Sequence, residues 1–107
     1  MNPRIQSLLG LARRAGKLVL GDENCLKAVR SGAAQLVILA SDASAGTSKK
    51  YADKCSHYHI PCIQPGNRSE IGRAIGRAEQ VVVAVNDQGF ARGILDGLEK
   101  TEVQAIE

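Results

Sequence analysis

The sequence predicts an α/β domain with helices covering both faces of a central sheet. Three observations carry that expectation. Helical and strand patterns alternate along the chain in the order αβαβαβαβα. Two runs, Leu36-Val37-Ile38-Leu39-Ala40 and Val81-Val82-Val83-Ala84-Val85, are apolar at every position, as in strands buried on both faces. Helix-start and helix-stop residues punctuate the stretches between them.

The elements follow in order. Asn2-Pro3 opens the first helix, with a cap residue before proline at the first helical position. Ile5, Leu8, Leu9, Ala12 and Ala15 then recur at helical spacing, and Gly16 ends the run. Leu18-Val19-Leu20 is a short strand. Gly21 breaks it, and Asp22 is expected to cap a second helix with Cys25, Leu26, Val29 and Ala33 on its apolar face, stopping near Gly32. Beyond the strand at 36–40 lies the polar loop Ser41-Asp42-Ala43-Ser44. Thr47 or Ser48 is expected to cap a third helix carrying Tyr51, Ala52, Cys55 and Tyr58. Ile60-Pro61-Cys62-Ile63 is a short strand with proline at its entrance. Gln64-Pro65-Gly66-Asn67 is a turn, after which a fourth helix from near Ser69 buries Ile71, Ala74, Ile75 and Ala78. Asn86-Asp87 caps a fifth helix through Phe90, Ile94, Leu95 and Leu98. From Lys100 onward periodicity is lost. Residues 1–100 are expected to form one domain, with 101–107 an acidic C-terminal tail.

Composition narrows the function. Apolar residues make up 44% of the chain but aromatics only 3%, so the core is expected to be aliphatic. A base-stacking platform for single-stranded RNA is thereby disfavoured. Residues 1–92 carry 13 Lys/Arg against 7 Asp/Glu, a net of +6, whereas residues 93–107 carry one Lys against four acids, a net of −3. A basic body favours a phosphate-bearing partner, although ordinary solubilising charge gives the same count. The odd cysteine count (Cys25, Cys55, Cys62) and the lack of a visible signal segment argue against a disulfide framework and for a cytoplasmic protein. The longest apolar runs are five residues, against the ~20 that span a bilayer.

Four motifs bear on chemistry. The first is Gly21-Asp22-Glu23-Asn24-x-x-Lys27. Glycine permits a tight turn, the helix start exposes free amides, and Asn24 offers both donor and acceptor to a base edge. Lys27 falls one helical turn after Asn24, and Lys17 is expected to enter the same region. The same residues also describe an ordinary strand-to-helix turn with a solvated face. The second, Cys55-x-His57-x-His59-x-x-Cys62, holds four zinc-type ligands. Its spacing of two does not align ligands on a helix, and Cys55 fits an apolar face, so no metal is expected. The third, Ala45-Gly46-Thr47-Ser48-Lys49-Lys50, lacks the order of a nucleotide-phosphate loop. The fourth, Gly72-x-x-x-Gly76 with Arg68, Arg73 and Arg77, suggests close helix packing beside surface or phosphate-binding charge. No catalytic constellation and no cofactor motif emerges.

The stretch Gly21-Asp22-Glu23-Asn24-Cys25-Leu26-Lys27-Ala28-Val29-Arg30, with Leu36–Asp42, Ile60-Pro61 and Glu70–Gly76, resembles the kink-turn-binding ribosomal protein superfamily. That superfamily includes archaeal and eukaryotic large-subunit ribosomal proteins and a core protein of box C/D guide-RNA particles. Val81–Asn86 and Asp87-Gln88-Gly89-Phe90-Ala91 resemble its small bacterial YlxQ-type members, and the likeness covers roughly residues 4–98. The resemblance implies a three-layer α-β-α sandwich with a mixed sheet of about four strands, and a non-enzymatic role. It implies that the start of the second helix enters the widened major groove of a kinked RNA, between sheared G·A pairs. On that basis Gly21 makes the turn, Asp22, Glu23 and Asn24 meet the groove, and Lys27 contacts backbone or a base edge. A covering loop maps to Pro65-Gly66, beside Gln64, Asn67 and Arg68. The expected partner is a structured RNA of kink-turn type, ribosomal RNA included, with no DNA, no membrane and a monomeric state.

Two departures stand out. The superfamily has Asn then Glu where this chain has Glu23 then Asn24. A carboxylate at 23 accepts from guanine N1 and N2 but has nothing to donate to O6. The covering loop usually offers an aliphatic residue before proline, and Pro65-Gly66 offers less apolar surface. A small α/β enzyme binding a phosphorylated ligand near Asp42–Thr47, and a protein-interaction module using the acidic tail or fifth helix, are the alternative readings.

Overall fold

The computed structural model describes residues 1–98, and the acidic tail at 101–107 lies outside them. Four strands, β1 (Leu18–Leu20), β2 (Leu36–Leu39), β3 (Cys62–Ile63) and β4 (Val82–Val85), form one sheet in the order β1-β4-β2-β3. β4 is antiparallel to both β1 and β2, while β2 and β3 are parallel. The sheet is therefore mixed, and β1, β2 and β3 all point the same way. Their carboxyl ends share one edge.

Five helices cover the sheet: α1 (Pro3–Arg14), α2 (Asp22–Ser31), α3 (Ala45–His57), α4 (Arg68–Ala74) and α5 (Gln88–Asp96). The two continuous apolar runs divide their side chains between two cores. Leu36, Ile38, Val83 and Val85 join Ile5, Leu9, Ile71 and Ile94 under α1, α4 and α5. Val37, Leu39, Val82 and Ala84 join Cys25, Val29, Tyr51 and Cys55 under α2 and α3. Period-two alternation thus feeds both faces, which is why neither strand carries a polar residue. The chain is a three-layer α-β-α sandwich, and its second core holds an aromatic, Tyr51, amid aliphatic and thiol groups.

Several helix starts differ from the sequence expectation. Asp22 does not cap α2. Gly21 occupies the cap position at φ +95°, a conformation open to glycine, and the Asp22 carboxylate is engaged elsewhere. α3 begins earlier than Thr47: Ser44 caps it, accepting from the Thr47 N–H. α4 begins at Arg68, beside the expected Ser69, with Asn67 as its cap and Glu70 closing a reciprocal capping box. α4 ends at Ala74, so Ala78 lies beyond it and is exposed, as are Ala15 and Ala33. β3 shrinks to two residues. Pro61 has no N–H to donate, though its carbonyl accepts from Val37 N–H at 2.9 Å.

Candidate nucleic-acid interface

α2, α3 and α4 each begin just beyond the shared carboxyl edge of β1, β2 and β3, so three helix starts converge there. The α2 start is the most open. Its first backbone bond runs from Cys25 N–H to the Gly21 carbonyl (2.9 Å), and no side chain caps it. The N–H groups of residues 22–24 are left without helical partners and face the positive end of the helix dipole. Glu23 and Asn24 are exposed. Asn24 folds back to donate from Nδ2 to the Leu20 carbonyl at 3.3 Å, keeping Oδ1 as an acceptor. Lys27 Nζ stands 4.0 Å from Glu23, both well exposed, a pair worth little to stability.

Asp22 anchors this turn to α3. Tyr51, fully buried, donates its hydroxyl to Asp22 Oδ1 at 2.6 Å, and Lys50 Nζ donates to Oδ2 at 2.6 Å. The hydrogen bond from Lys50, then that from Tyr51, holds the Asp22 carboxyl below its ordinary pKa. Burial and the Asp22 carboxylate push the Tyr51 phenol well above its usual value, so it stays a donor. Between Gly21, Asp22, Thr47 and the segment Glu79–Val82 lies a surface cavity of about 350 Å³.

The loop at 64–68 adjoins the same edge. Gly66 accepts from Ser41 N–H at 2.8 Å, and Arg68 carbonyl accepts from Gln80 N–H at 2.9 Å. Arg68 is latched to Asp42: its guanidinium reaches Oδ2 at 3.3 Å and the carbonyl at 2.8 Å, while its N–H donates to Oδ1 at 3.0 Å. Asn67 is spent on its cap. Pro65 and Gly66 are buried, with Met1 against Gly66, so the accessible part of this loop is the half-buried Gln64, Asn67 and Arg68. The fold thus brings Gly21–Asn24 to the same sheet edge as residues 64–68, with Lys27 one turn into α2. Lys17 stands at the other end of β1, where its carbonyl accepts from Asn86 N–H. Four residue steps of extended chain, about 13 Å, separate it from Gly21.

Tyr51 and Gln80 are parts of this edge that no sequence motif marks. Tyr51 and Asp22 are 29 residues apart, and no local pattern pairs them. The Cys/His run does not converge. Cys55 and Cys62 are buried in the second core, whereas His57 and His59 are exposed. A hydrogen bond to Cys55 together with burial raises the Cys62 thiol, opposing the thiolate that zinc requires. The Asp42–Thr47 segment is occupied by the Arg68 latch and the Ser44 cap.

Fold and edge together define a small α-β-α domain with an uncapped helix start open at one edge of its sheet. The chain belongs to the Ribosomal protein L7Ae/L30e/S12e/Gadd45 family, whose sequence model matches residues 3–94. That family is of ribosomal-protein type and not a family of enzymes. The chain is 47% identical over 92 residues to the RNA-binding protein YlxQ of Bacillus subtilis (strain 168), a match covering 86% of this chain and 92% of that protein. It is 37% identical over 91 residues to the large ribosomal subunit protein eL30B of Schizosaccharomyces pombe, covering 79% and 74%. A Bacillus halodurans C protein of unknown function has a solved structure that superposes with a TM-score of 0.86 at 50% identity, covering 88% of this chain and 95% of that one. The Giardia lamblia 15.5kD RNA binding protein shares the fold, with a TM-score of 0.79 at 20% identity, covering 98% and 88%.

Proposed function

We propose that this chain is a non-enzymatic, cytoplasmic RNA-binding protein that recognises a kink-turn or a related bent RNA, ribosomal RNA among the candidates. One observation carries the proposal: the uncapped first turn of α2, Gly21–Asn24, shares a sheet edge with the loop at 64–68. Free amides at a helix start suit the sugar-phosphate rim of a groove. Glu23 supplies carboxylate acceptors for guanine N1 and N2, and Asn24 Oδ1 adds a further acceptor. Lys27 reaches the flanking backbone. Relatives named as an RNA-binding protein and as a large-subunit ribosomal protein support the assignment of RNA as ligand.

Titration against a kink-turn RNA and a straight duplex of equal length tests the proposal. Preference for the kinked RNA is expected, and Lys27→Ala is expected to weaken it. Equal, purely salt-dependent binding to both RNAs would remove kink-turn recognition. Unchanged affinity in Lys27→Ala would remove that residue from the interface.

A further inference from the structure

The charge of this protein is distributed unevenly with respect to its recognition edge. The cations of that edge are largely neutralised: Lys50 pairs with Asp22, Lys27 with Glu23 and Arg68 with Asp42. A different region holds free positive charge. α1 and the end of α4 form a groove of about 680 Å³, lined by Gln6, Ser7, Leu11, Arg13, Arg14 and Arg73 among others. Gly10 lets the two helices touch at the floor of this groove, because a Cβ there would lie 3.2 Å from the Ala74 carbonyl. No acidic residue lines it. Among the described residues, Arg13, Arg14 and Arg73 make no ion pair within 4.0 Å. Glu70, one turn before Arg73, is held instead by the Asn67 N–H and the Met1 ammonium.

The three arginines sit in the last turns of α1 and α4, so part of their charge answers the two helix dipoles. Each helix end contributes roughly −0.5 charge, and three guanidiniums outweigh two such ends. Leu11, exposed at 47%, adds an apolar surface beside them. Planar guanidinium forks bind phosphate oxygens in bidentate fashion. The groove runs the length of α1 from Pro3 to Arg14, about 18 Å, with Arg13 and Arg14 at the end of the helix away from its start.

We propose that the α1–α4 groove is a second RNA-contacting face that grips the phosphodiester backbone away from the α2 turn. This inference takes from the proposed function only that RNA is the ligand, not that the RNA is kinked. Specific recognition belongs to the neutralised edge, and salt-dependent affinity belongs to the groove.

The test compares wild type with R13Q/R14Q/R73Q and with R13K/R14K/R73K, using a kink-turn RNA with long helical arms, the same RNA with trimmed arms, and a straight duplex. Loss of three phosphate contacts lowers the slope of log affinity against log salt by about 2 to 3. Wild type then loses about 40-fold more affinity than the glutamine variant between 50 and 200 mM salt. This difference is expected on long-armed RNA, and the lysine variant is expected to keep the wild-type slope. The ratio of kink-turn to duplex affinity should be unchanged in both variants. Identical slopes for wild type and the glutamine variant on long-armed RNA would overturn the groove proposal. So would binding of a polyglutamate peptide that the glutamine variant loses while its RNA slope stays intact, since the partner would then be an acidic protein. A wild type that fails to prefer the kinked RNA strikes the proposed function alone, because the slope comparison is read equally well on the duplex.

Discussion

Replacing Tyr51 with Phe removes one hydroxyl from the contact that ties α3 to the start of α2. That hydroxyl lies 2.6 Å from Asp22 Oδ1 and 3.0 Å from the Asp22 carbonyl. One O–H donates one proton, so the short contact to the carboxylate carries the bond. A hydrogen bond to a charged group contributes about 1.5–3 kcal/mol. Lys50 still holds the other oxygen, and the Asp22 side chain is 54% exposed, so water replaces the lost donor. The cost therefore falls at the lower end, about 1.5 kcal/mol, with ring packing preserved. In a domain of this size that lowers Tm by about 6–12 °C at neutral pH, measured by thermal unfolding. The pH dependence checks the cause. Asp22 is held below its ordinary pKa by Lys50 first and Tyr51 second. A depressed carboxylate contributes stability that is present above its unfolded pKa, about 3.9, and lost as pH falls through the lower folded value. The deficit of Tyr51→Phe should therefore be full at neutral pH and shrink in acid below about pH 4. A Tm change under about 2 °C at neutral pH would refute the anchoring role. A deficit equally large in acid would place the cost in ring packing and not in the carboxylate bond.

Other substitutions probe the frame around the same edge. Gly21→Ala forces a side chain into φ +95° and is expected to cost about 1–3 kcal/mol, read by urea unfolding; unchanged stability would mean the turn relaxes freely. Gly72→Ala places a Cβ 2.5 Å from the Glu79 backbone, an overlap expected to cost at least about 1–3 kcal/mol and to lower Tm more than substitution at Gly46, where nothing lies within 4 Å. The three thiols should resist iodoacetamide in the folded protein and react in denaturant. All are buried, and burial pushes Cys25 up to about 12; rapid labelling of the native protein, followed by mass spectrometry, would contradict that packing.

Much of the layer architecture is legible because it is written in short-range pattern. Residues 36–40 and 81–85 announce doubly buried strands by lacking polar alternation. Asn2, Gly32 and Asp87 mark helix ends through their own backbone and side-chain chemistry. The order of strands is another matter. β4 sits between β1 and β2 and pairs antiparallel with each, a choice made by burial of whole faces and carried by no single segment. The same limit explains the caps. Ser44, Thr47 and Ser48 all offer a hydroxyl, and only the position of the loop after Ala40 selects Ser44. Asp22 has the composition of a cap, but Tyr51 and Lys50, distant in sequence, claim its carboxylate. Likewise Pro65-Gly66 reads as a surface turn until Met1 packs against Gly66.

The anchoring of Asp22 changes what the order Glu23-Asn24 means. An acidic pair at a helix start would set two negative charges against an approaching phosphate. Here Lys50 and Tyr51 take up the first of them and turn it toward α3. Glu23 alone then faces outward, 87% exposed, in a place where favourable interaction with the helix dipole offsets part of its repulsion. In the proposed complex, a carboxylate flanked by free amides and paired only loosely with Lys27 would accept from guanine N1 and N2 and repel a bare phosphate. On that proposal, such a turn would discriminate among RNA surfaces better than it attracts them. The basic excess of residues 1–92 is therefore most effective where no carboxylate cancels it, and among the described residues Arg13, Arg14 and Arg73 have no acid within ion-pair distance. Under the proposed RNA-binding function, separating attraction from discrimination in this way leaves α2 nearly neutral, and its hydrogen-bond geometry, not its charge, would decide which RNA is held.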